Sequence, residues 1–260
     1  MQSSSLIYMT SNGIKSLSPS DQVVLANIFH AYENTCISIR NNESPCFPSI
    51  VHNSMHEFLN ELSTKVPMFI DYFKYVPEFA RISMDDKIRL VKTHFGVMIN
   101  INEPLLYPLT SSNLTRTWSN VFGPDITLRL VKRNKIIEQY TIDPILLKIV
   151  LIILVLSSDN SRDLDTFDLD VICDDTLFIF HAQNIYVQLL WNYILSRTTS
   201  YRDAVKFYNK LIMCILFMSN VDRDIDSHIN KCKTEIQQMV PLMQAIWSDS
   251  NKNTDESMPI

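Results

Sequence analysis

The chain has 260 residues, of which 46% are hydrophobic and only three are glycines, and its formal net charge is -5. A net negative charge argues against nucleic-acid binding by this chain, since a duplex-binding domain normally carries a positive surplus. Glycine is the residue that hairpin turns and phosphate loops need, so its scarcity favours helices over sheets. The sequence therefore predicts an all-α protein whose partners are proteins or small molecules.

The five cysteines are scattered along the chain, and no two of them are separated by two residues. This spacing indicates neither a zinc module nor a disulfide framework, so we expect no metal, no cofactor and a reducing compartment. Residues 1–20 lack the basic start and apolar run of a secretory signal. The longest apolar stretch, residues 145–156, is too short to span a bilayer, so we expect no membrane partner.

The first predicted helix follows a polar segment, residues 1–17, that we expect to be a flexible, hinge-like N-terminus. Ser18 offers an N-cap and Pro19 a first-turn proline, after which apolar residues recur at helical spacing as far as Tyr32. Residues 41–48 contain two prolines and are predicted to form a loop.

A long helical pattern then runs from about residue 50 to residue 76. Pro67 lies inside this pattern and should kink or divide it, and Pro77 should end it. The following helix is predicted to begin near Asp85-Asp86, because acidic residues suit the positive end of a helix dipole, and to stop near Pro104.

Residues 107–141 show the weakest periodicity. Gly123-Pro124 indicates a turn there, and Ile126–Val131 is a possible strand of a small hairpin. Residues 142–157 are apolar on all sides, which predicts a helix buried in the core.

The remaining pattern predicts two long helices, over residues 177–196 and 201–232, and a short amphipathic helix over residues 241–247. A polar tail, residues 249–260, is predicted to be disordered. Together these elements predict one domain, residues 18–248.

Residues 72–92 have the sequence YFKYVPEFARISMDDKIRLVK. An aromatic residue and Lys74 are followed by a proline and a phenylalanine, then by an acid with Lys87, two aliphatic residues and Lys92. This order resembles the signature of the nuclear receptor ligand-binding domain. The departure is Phe73, where the family prefers a small residue.

The resemblance extends over residues 17–248. Residues 17–35 are similar to the first helix of the vitamin D and bile-acid receptors, a group that also includes the peroxisome-proliferator receptors. Residues 146–159 are similar to the buried eighth helix, residues 207–218 to the tenth, and residues 241–247 to the terminal activation helix. The resemblance implies a three-layer antiparallel helical sandwich with a small β-hairpin.

In this family the activation helix completes an apolar groove that accepts an LxxLL-type helix of a coactivator or corepressor. The resemblance implies that this groove is formed by Lys74, Ile88, Val91, Lys92, Leu242, Met243, Ile246 and Trp247. A lysine suits the carbonyl end of the bound helix. Ala245 stands where the family has a glutamate that receives the amide end, so we expect weakened activation.

The resemblance also implies a pocket for a lipophilic small molecule beneath the activation helix. Its expected lining is Met55, Phe58, Leu59, Leu62, Met98, Ile101, Asn102 and His228. Asn102 occupies the place where many receptors carry an arginine that holds an acidic ligand, so a neutral ligand is favoured. His228 could hydrogen-bond a ligand hydroxyl, although a lone histidine is more often structural.

The tenth helix implies a dimer interface formed by Ile212, Ile215, Leu216 and Phe217. A heterodimer with a retinoid X receptor, or a homodimer, follows from the family. Val97 and Met218 replace an acid and an arginine that are common there, which weakens the heterodimer expectation. The family also implies a nuclear location.

Two alternatives belong to other classes of protein. A magnesium-dependent helical synthase would need a third acid beside Asp85-Asp86, and a calcium loop over Asp222, Asp224 and Asp226 lacks its turn glycine and final glutamate. We therefore expect no enzymatic activity. The second alternative, a helical scaffold that dimerises without a ligand, shares the fold and differs in having a closed pocket.

Overall fold

The computed structural model describes residues 16–40, 47–107, 112–157 and 173–247. Within these ranges the chain is almost entirely helical and contains no strand, which confirms the predicted all-α class. The predicted segments 1–17 and 249–260 lie outside the described ranges, apart from Ser16 and Leu17. The three-layer arrangement stays a prediction.

The helices follow one another along a single packed unit, and a π-helical turn, Glu33–Ile37, joins the first two. In chain order they are α1 (Pro19–Tyr32), α2 (Ser38–Arg40), α3 (Met55–Ser63), α4 (Val66–Lys74), α5 (Pro77–Arg81), α6 (Met84–Leu106), α7 (Ser112–Glu138), α8 (Pro144–Val155), α9 (Thr176–Arg197), α10 (Tyr201–Lys231), α11 (Lys233–Gln237) and α12 (Pro241–Trp247).

Local sequence signals start and divide these helices, and those at Ser18 and Pro67 were predicted. The Ser18 side chain accepts a hydrogen bond from the backbone of Asp21 at 3.0 Å, so α1 begins at a satisfied N-cap. Ser83 caps α6 in the same way through the backbone of Asp86, at 3.1 Å. Pro67 lies in the first turn of α4, where its missing N–H costs nothing, and the predicted long helix is indeed divided before it.

The predicted hairpin strand at Ile126–Val131 is wrong, because these residues lie inside α7. Thr127 and Leu130 are buried while Leu128 is 71% exposed, and burial at a spacing of three residues is helical rather than strand-like. The turn predicted at Gly123 is a kink within α7, where the glycine adopts a positive φ of 79°.

The core is built around α8, whose residues from Ile145 to Ile152 are all buried. This helix packs against α1, α6 and α9, while α10 packs against α6, α7 and α9. The ammonium group of Lys148 is buried in this core, where it donates to Glu33 at 3.0 Å and lies over the rings of Phe29 and Tyr32. The ion pair and both rings offset the cost of burying the charge.

Among the described residues, α10 is the one helix long and apolar enough to cross a bilayer by length and composition alone. Leu211, Met218 and Val221 of this helix are buried in the protein core. In all, 28% of the apolar stretch of this helix is buried in the protein.

Candidate functional site

Four helices converge around an opening on the protein surface, which we call the surface groove. It has a volume of about 300 Å³. Its walls come from α4, α5, the first half of α6, and α12, and they are formed by Val66, Ile70, Lys74, Phe79, Ala80, Met84, Lys87, Ile88, Val91, Lys92, Leu242, Ala245 and Ile246. Residues 72–92 thus supply most of the lining outside α12, and α12 supplies the rest of the groove together with Val66 and Ile70.

Six of the eight residues predicted for the groove line it: Lys74, Ile88, Val91, Lys92, Leu242 and Ile246. The prediction is wrong for Met243 and Trp247, which are buried on the inner face of α12. On a helix, residues four apart share a face, so Leu242 and Ile246 point to the groove while Met243 and Trp247 point to the core.

The floor of the surface groove is apolar and accessible. Ile88 of α6 is 48% exposed and Leu242 of α12 is 45% exposed, and both line the groove. A contiguous apolar surface of this kind, bordered by polar residues, is typical of a protein interaction site.

The rim of the surface groove carries lysines on one side. Lys74, at the end of α4, forms an ion pair with Asp71 at 2.8 Å. Lys87 donates a hydrogen bond to the backbone oxygen of Ala80 at 2.9 Å, and Lys92 lies further along α6. The described residues of α12 that line the groove are Leu242, Ala245 and Ile246, and none of them is charged.

The inner face of α12 is held by contacts with the protein core. Met243 is fully buried, and the Trp247 ring packs edge-to-face on Phe95 with a centroid separation of 5.9 Å. The indole nitrogen of Trp247 donates a hydrogen bond to Asp226 of α10 at 3.0 Å. These contacts fix the orientation of α12 and therefore the shape of the groove.

The connection from α10 to α12 is fixed by polar side chains of α3. Asn60 accepts a hydrogen bond from the backbone of Val240 at 2.7 Å. The backbone nitrogen and ring Nδ1 of His56 lie 3.0 and 2.7 Å from one carboxylate oxygen of Glu235. These hydrogen bonds lower the pKa of Glu235. Sequence analysis missed His56 and Asn60, a polar pair four residues apart on α3.

A second opening lies inside the protein beneath α12, and we call it the internal cavity. Its volume is about 50 Å³. The residues that surround it are Phe47, Phe58, Leu59, Leu62, Phe95, Gly96, Ile99, Asn100, Glu103, Trp118, Phe122, Leu130, Asp222, Ile225, Asp226, Ile229 and Trp247. Six of these residues, including Trp247, carry aromatic rings.

Of the residues predicted for a ligand pocket, Phe58, Leu59 and Leu62 line the internal cavity. The other five, Met55, Met98, Ile101, Asn102 and His228, are not among the described residues that line it, and their assignment to a ligand pocket stays a prediction. Met55, Met98 and Ile101 are buried in the core instead. The amide oxygen of Asn102 accepts a hydrogen bond from the Tyr32 hydroxyl and so joins α6 to α1, and His228 packs on the edge of Phe122. Helical periodicity identifies a buried face but not which neighbour covers it.

Polar groups meet at one side of the internal cavity. The amide of Asn100 donates a hydrogen bond to Asp222, and a carboxylate oxygen of Glu103 lies 3.8 Å from the guanidinium of Arg133. Burial raises the pKa of Glu103 to about 7, and the positive charge of Arg133 opposes the rise. Arg133 is itself fully buried.

The acidic residues considered for metal binding serve as structural contacts. Asp86 accepts backbone hydrogen bonds from Asp174 and Asp175, which joins the start of α6 to that of α9. Asp224 forms an ion pair with Arg129, and Asp226 accepts from Trp247. Within the described ranges, no three histidine, cysteine, aspartate or glutamate residues are grouped so that they could hold a metal ion.

The residues predicted for a dimer interface lie along α10. Leu216 is 53% exposed, whereas Ile215 and Phe217 pack partly against the core, and Ile212 is partly buried. Part of the apolar stripe is therefore accessible, and dimerisation stays a prediction.

No protein-family model matches this chain, and no curated protein sequence matches it. The resemblance carried by residues 72–92 therefore stays a prediction. The assignment of a function depends on the geometry of the surface groove and of the internal cavity.

Proposed function

We propose that this chain is a nuclear-receptor-type domain that binds an amphipathic helix of a coregulator in the surface groove. We further propose that α12 occupies the position in which it forms the groove when no small-molecule ligand is bound. The observation that carries it is the groove, in which six residues assigned to this role by the sequence resemblance lie together.

The shape and chemistry of the groove suit a helix. An amphipathic helix presents leucines at i, i+3 and i+4 on one face, and these side chains need an apolar floor such as that formed by Ile88, Val91 and Leu242. The last carbonyl groups of that helix form its negative pole, where cations are favoured. Lys74 and Lys92 line the groove, which supports the assignment of these two residues to receive that pole.

The internal cavity supports the ligand-independent form of the proposal. Sites for drug-sized molecules have volumes of about 300 to 1,000 Å³. The cavity of about 50 Å³ is far smaller, because Phe95 and Trp247 fill the space that a ligand would need. The small volume of the internal cavity does not favour binding of a lipophilic ligand, which stays a prediction. Transcriptional regulation in the nucleus follows from the coregulator-binding proposal.

The test is a titration of the purified, lipid-stripped protein with a fluorescent LxxLL-type peptide, followed by anisotropy. We expect saturable binding by the unmodified protein. Ile88→Arg should weaken it at least about tenfold, since a charge in a desolvated apolar contact removes hot-spot energy of more than about 1 kcal/mol.

The matched control is Leu128→Arg, which places the same charge at an exposed leucine of α7 outside the groove. This variant should bind the peptide as the unmodified protein does. Absence of binding by the unmodified protein, or equal losses in the two variants, would contradict the proposed function.

A further inference from the structure

The surface groove has an uneven distribution of charge. Lys74, Lys87 and Lys92 line it from α4 and α6, and no acidic side chain in the described part of the chain is among its lining residues. The sequence of α12, PLMQAIW, contains no charged residue. One wall of the groove is therefore cationic and the other is neutral.

The charge of Lys74 is accessible to a partner. This side chain is 67% exposed, and its ion pair with Asp71 is at the surface, where such pairs contribute only about 0 to 1 kcal/mol. An incoming carboxylate can therefore share or replace Asp71 at little cost. Lys87 is held at the same wall by its hydrogen bond to Ala80 and lies 5.8 Å from the Phe79 ring centroid, so its charge is positioned beside the apolar floor.

We propose that the groove selects an acidic partner, namely an amphipathic helix that carries carboxylates in the turn after its apolar residues. This inference rests on the proposed function. The bound helix presents its negative pole to the lysine wall, and carboxylates in the same turn add to that attraction. The α12 wall, which contains Ala245, offers the bound helix no charged partner, so the electrostatic part of recognition comes from the lysines of α4 and α6.

Charge complementarity of this kind separates acidic helices from neutral helices with the same apolar residues. The interaction is exposed to solvent, so salt should screen it, with a Debye length that falls from about 30 Å at 0.01 M to about 3 Å at 1 M ionic strength. A preference that depends on charge alone must therefore shrink as salt is added.

The experiment uses three fluorescent peptides with identical apolar residues and glutamate, glutamine or lysine in the turn that follows them. Anisotropy titrations of the full chain at low and high salt give the three affinities. At low salt we expect the glutamate peptide to bind roughly two- to fivefold more tightly than the glutamine peptide, and the lysine peptide to bind most weakly. High salt should bring the three affinities together.

Lys74→Gln should reduce the preference for the glutamate peptide. Lys135→Gln, which removes an exposed lysine of α7, serves as the matched control and should leave that preference intact. Equal affinities for the three peptides at low salt would overturn the acidic-partner inference and leave the proposed function standing. Failure of all three to bind would overturn the proposed function as well.

Discussion

The internal cavity and the surface groove lie on opposite sides of α12 and differ sixfold in volume, about 50 against about 300 Å³. Trp247 fills the inner side, whereas Leu242 and Ile246 leave the outer side open. The short helix α12 thus covers the internal cavity with one face and forms a wall of the surface groove with the other. The comparison teaches that contacts between protein side chains can by themselves hold α12 in the position that forms the groove.

Removal of the Trp247 side chain should have the largest effect on peptide binding, because it empties the space on the inner side of α12. Trp247→Ala deletes the contact with Phe95 and the hydrogen bond to Asp226. Truncation of a buried tryptophan typically costs about 3 to 5 kcal/mol, and here the loss falls on the docking of α12. We expect binding of the LxxLL-type peptide to fall below detection in the anisotropy assay.

Added indole provides the control for Trp247→Ala, since an apolar cavity left by truncation can bind a small aromatic molecule. Indole should raise the melting temperature of the variant more than that of the unmodified protein, and should partly restore peptide binding. Peptide binding by Trp247→Ala at the unmodified affinity would show that the inner contacts do not position the groove.

Titration of Glu103 should have an intermediate effect, and this effect is on the stability of the fold. It tests the polar side of the internal cavity rather than the groove. Burial raises the pKa of this carboxyl group from 4.5 to about 7, so the folded state keeps a proton that the unfolded state has lost. Its contribution to stability is complete below pH 4.5 and is lost as the pH rises through about 7.

Glu103→Gln should therefore reduce the fall in unfolding free energy across this pH range, by roughly 1 to 3 kcal/mol. Urea denaturation at several pH values measures the difference. Glu138→Gln, at an exposed position of α7, is the matched control and should retain the pH dependence of the unmodified protein. The assignment fails if Glu103→Gln and Glu138→Gln give parallel profiles.

A new acid on the neutral wall of the groove should give the smallest effect. Ala245 is exposed and lines the groove, so Ala245→Glu places a carboxylate where the amide end of a bound helix is expected. Charges at helix ends contribute about 0.3 to 2 kcal/mol, which predicts tighter binding of a neutral LxxLL-type peptide. Anisotropy measures the change, and Ala245→Gln controls for side-chain size. An unchanged affinity in Ala245→Glu would contradict the inferred orientation of the bound helix.

The sequence predicted where helices begin and divide more successfully than it predicted features that depend on tertiary packing. Ser18 and Pro67 act through neighbouring backbone groups, so their effects on α1 and α4 follow from local rules. The hairpin prediction failed at Ile126–Val131 because a short apolar run there fits either period until tertiary burial decides between them.

The candidate site was predictable where a motif specified it. The resemblance carried by residues 72–92 assigned Lys74, Ile88 and Lys92 to a groove, and all three line the surface groove. The faces of α12 were not predictable in the same way, since its seven residues are mostly apolar all round. Contacts such as that between Asn60 and Val240 join residues 180 positions apart and leave no local pattern.

Amide hydrogen exchange of α12 in lipid-stripped protein tests most directly whether the groove exists without a ligand. We expect the amides of residues 241–247 to exchange at least about tenfold more slowly than those of a free peptide of the same sequence, because Met243 and Trp247 keep the helix docked. Exchange at the free-peptide rate, with protection appearing only when a lipophilic molecule is added, would contradict the account.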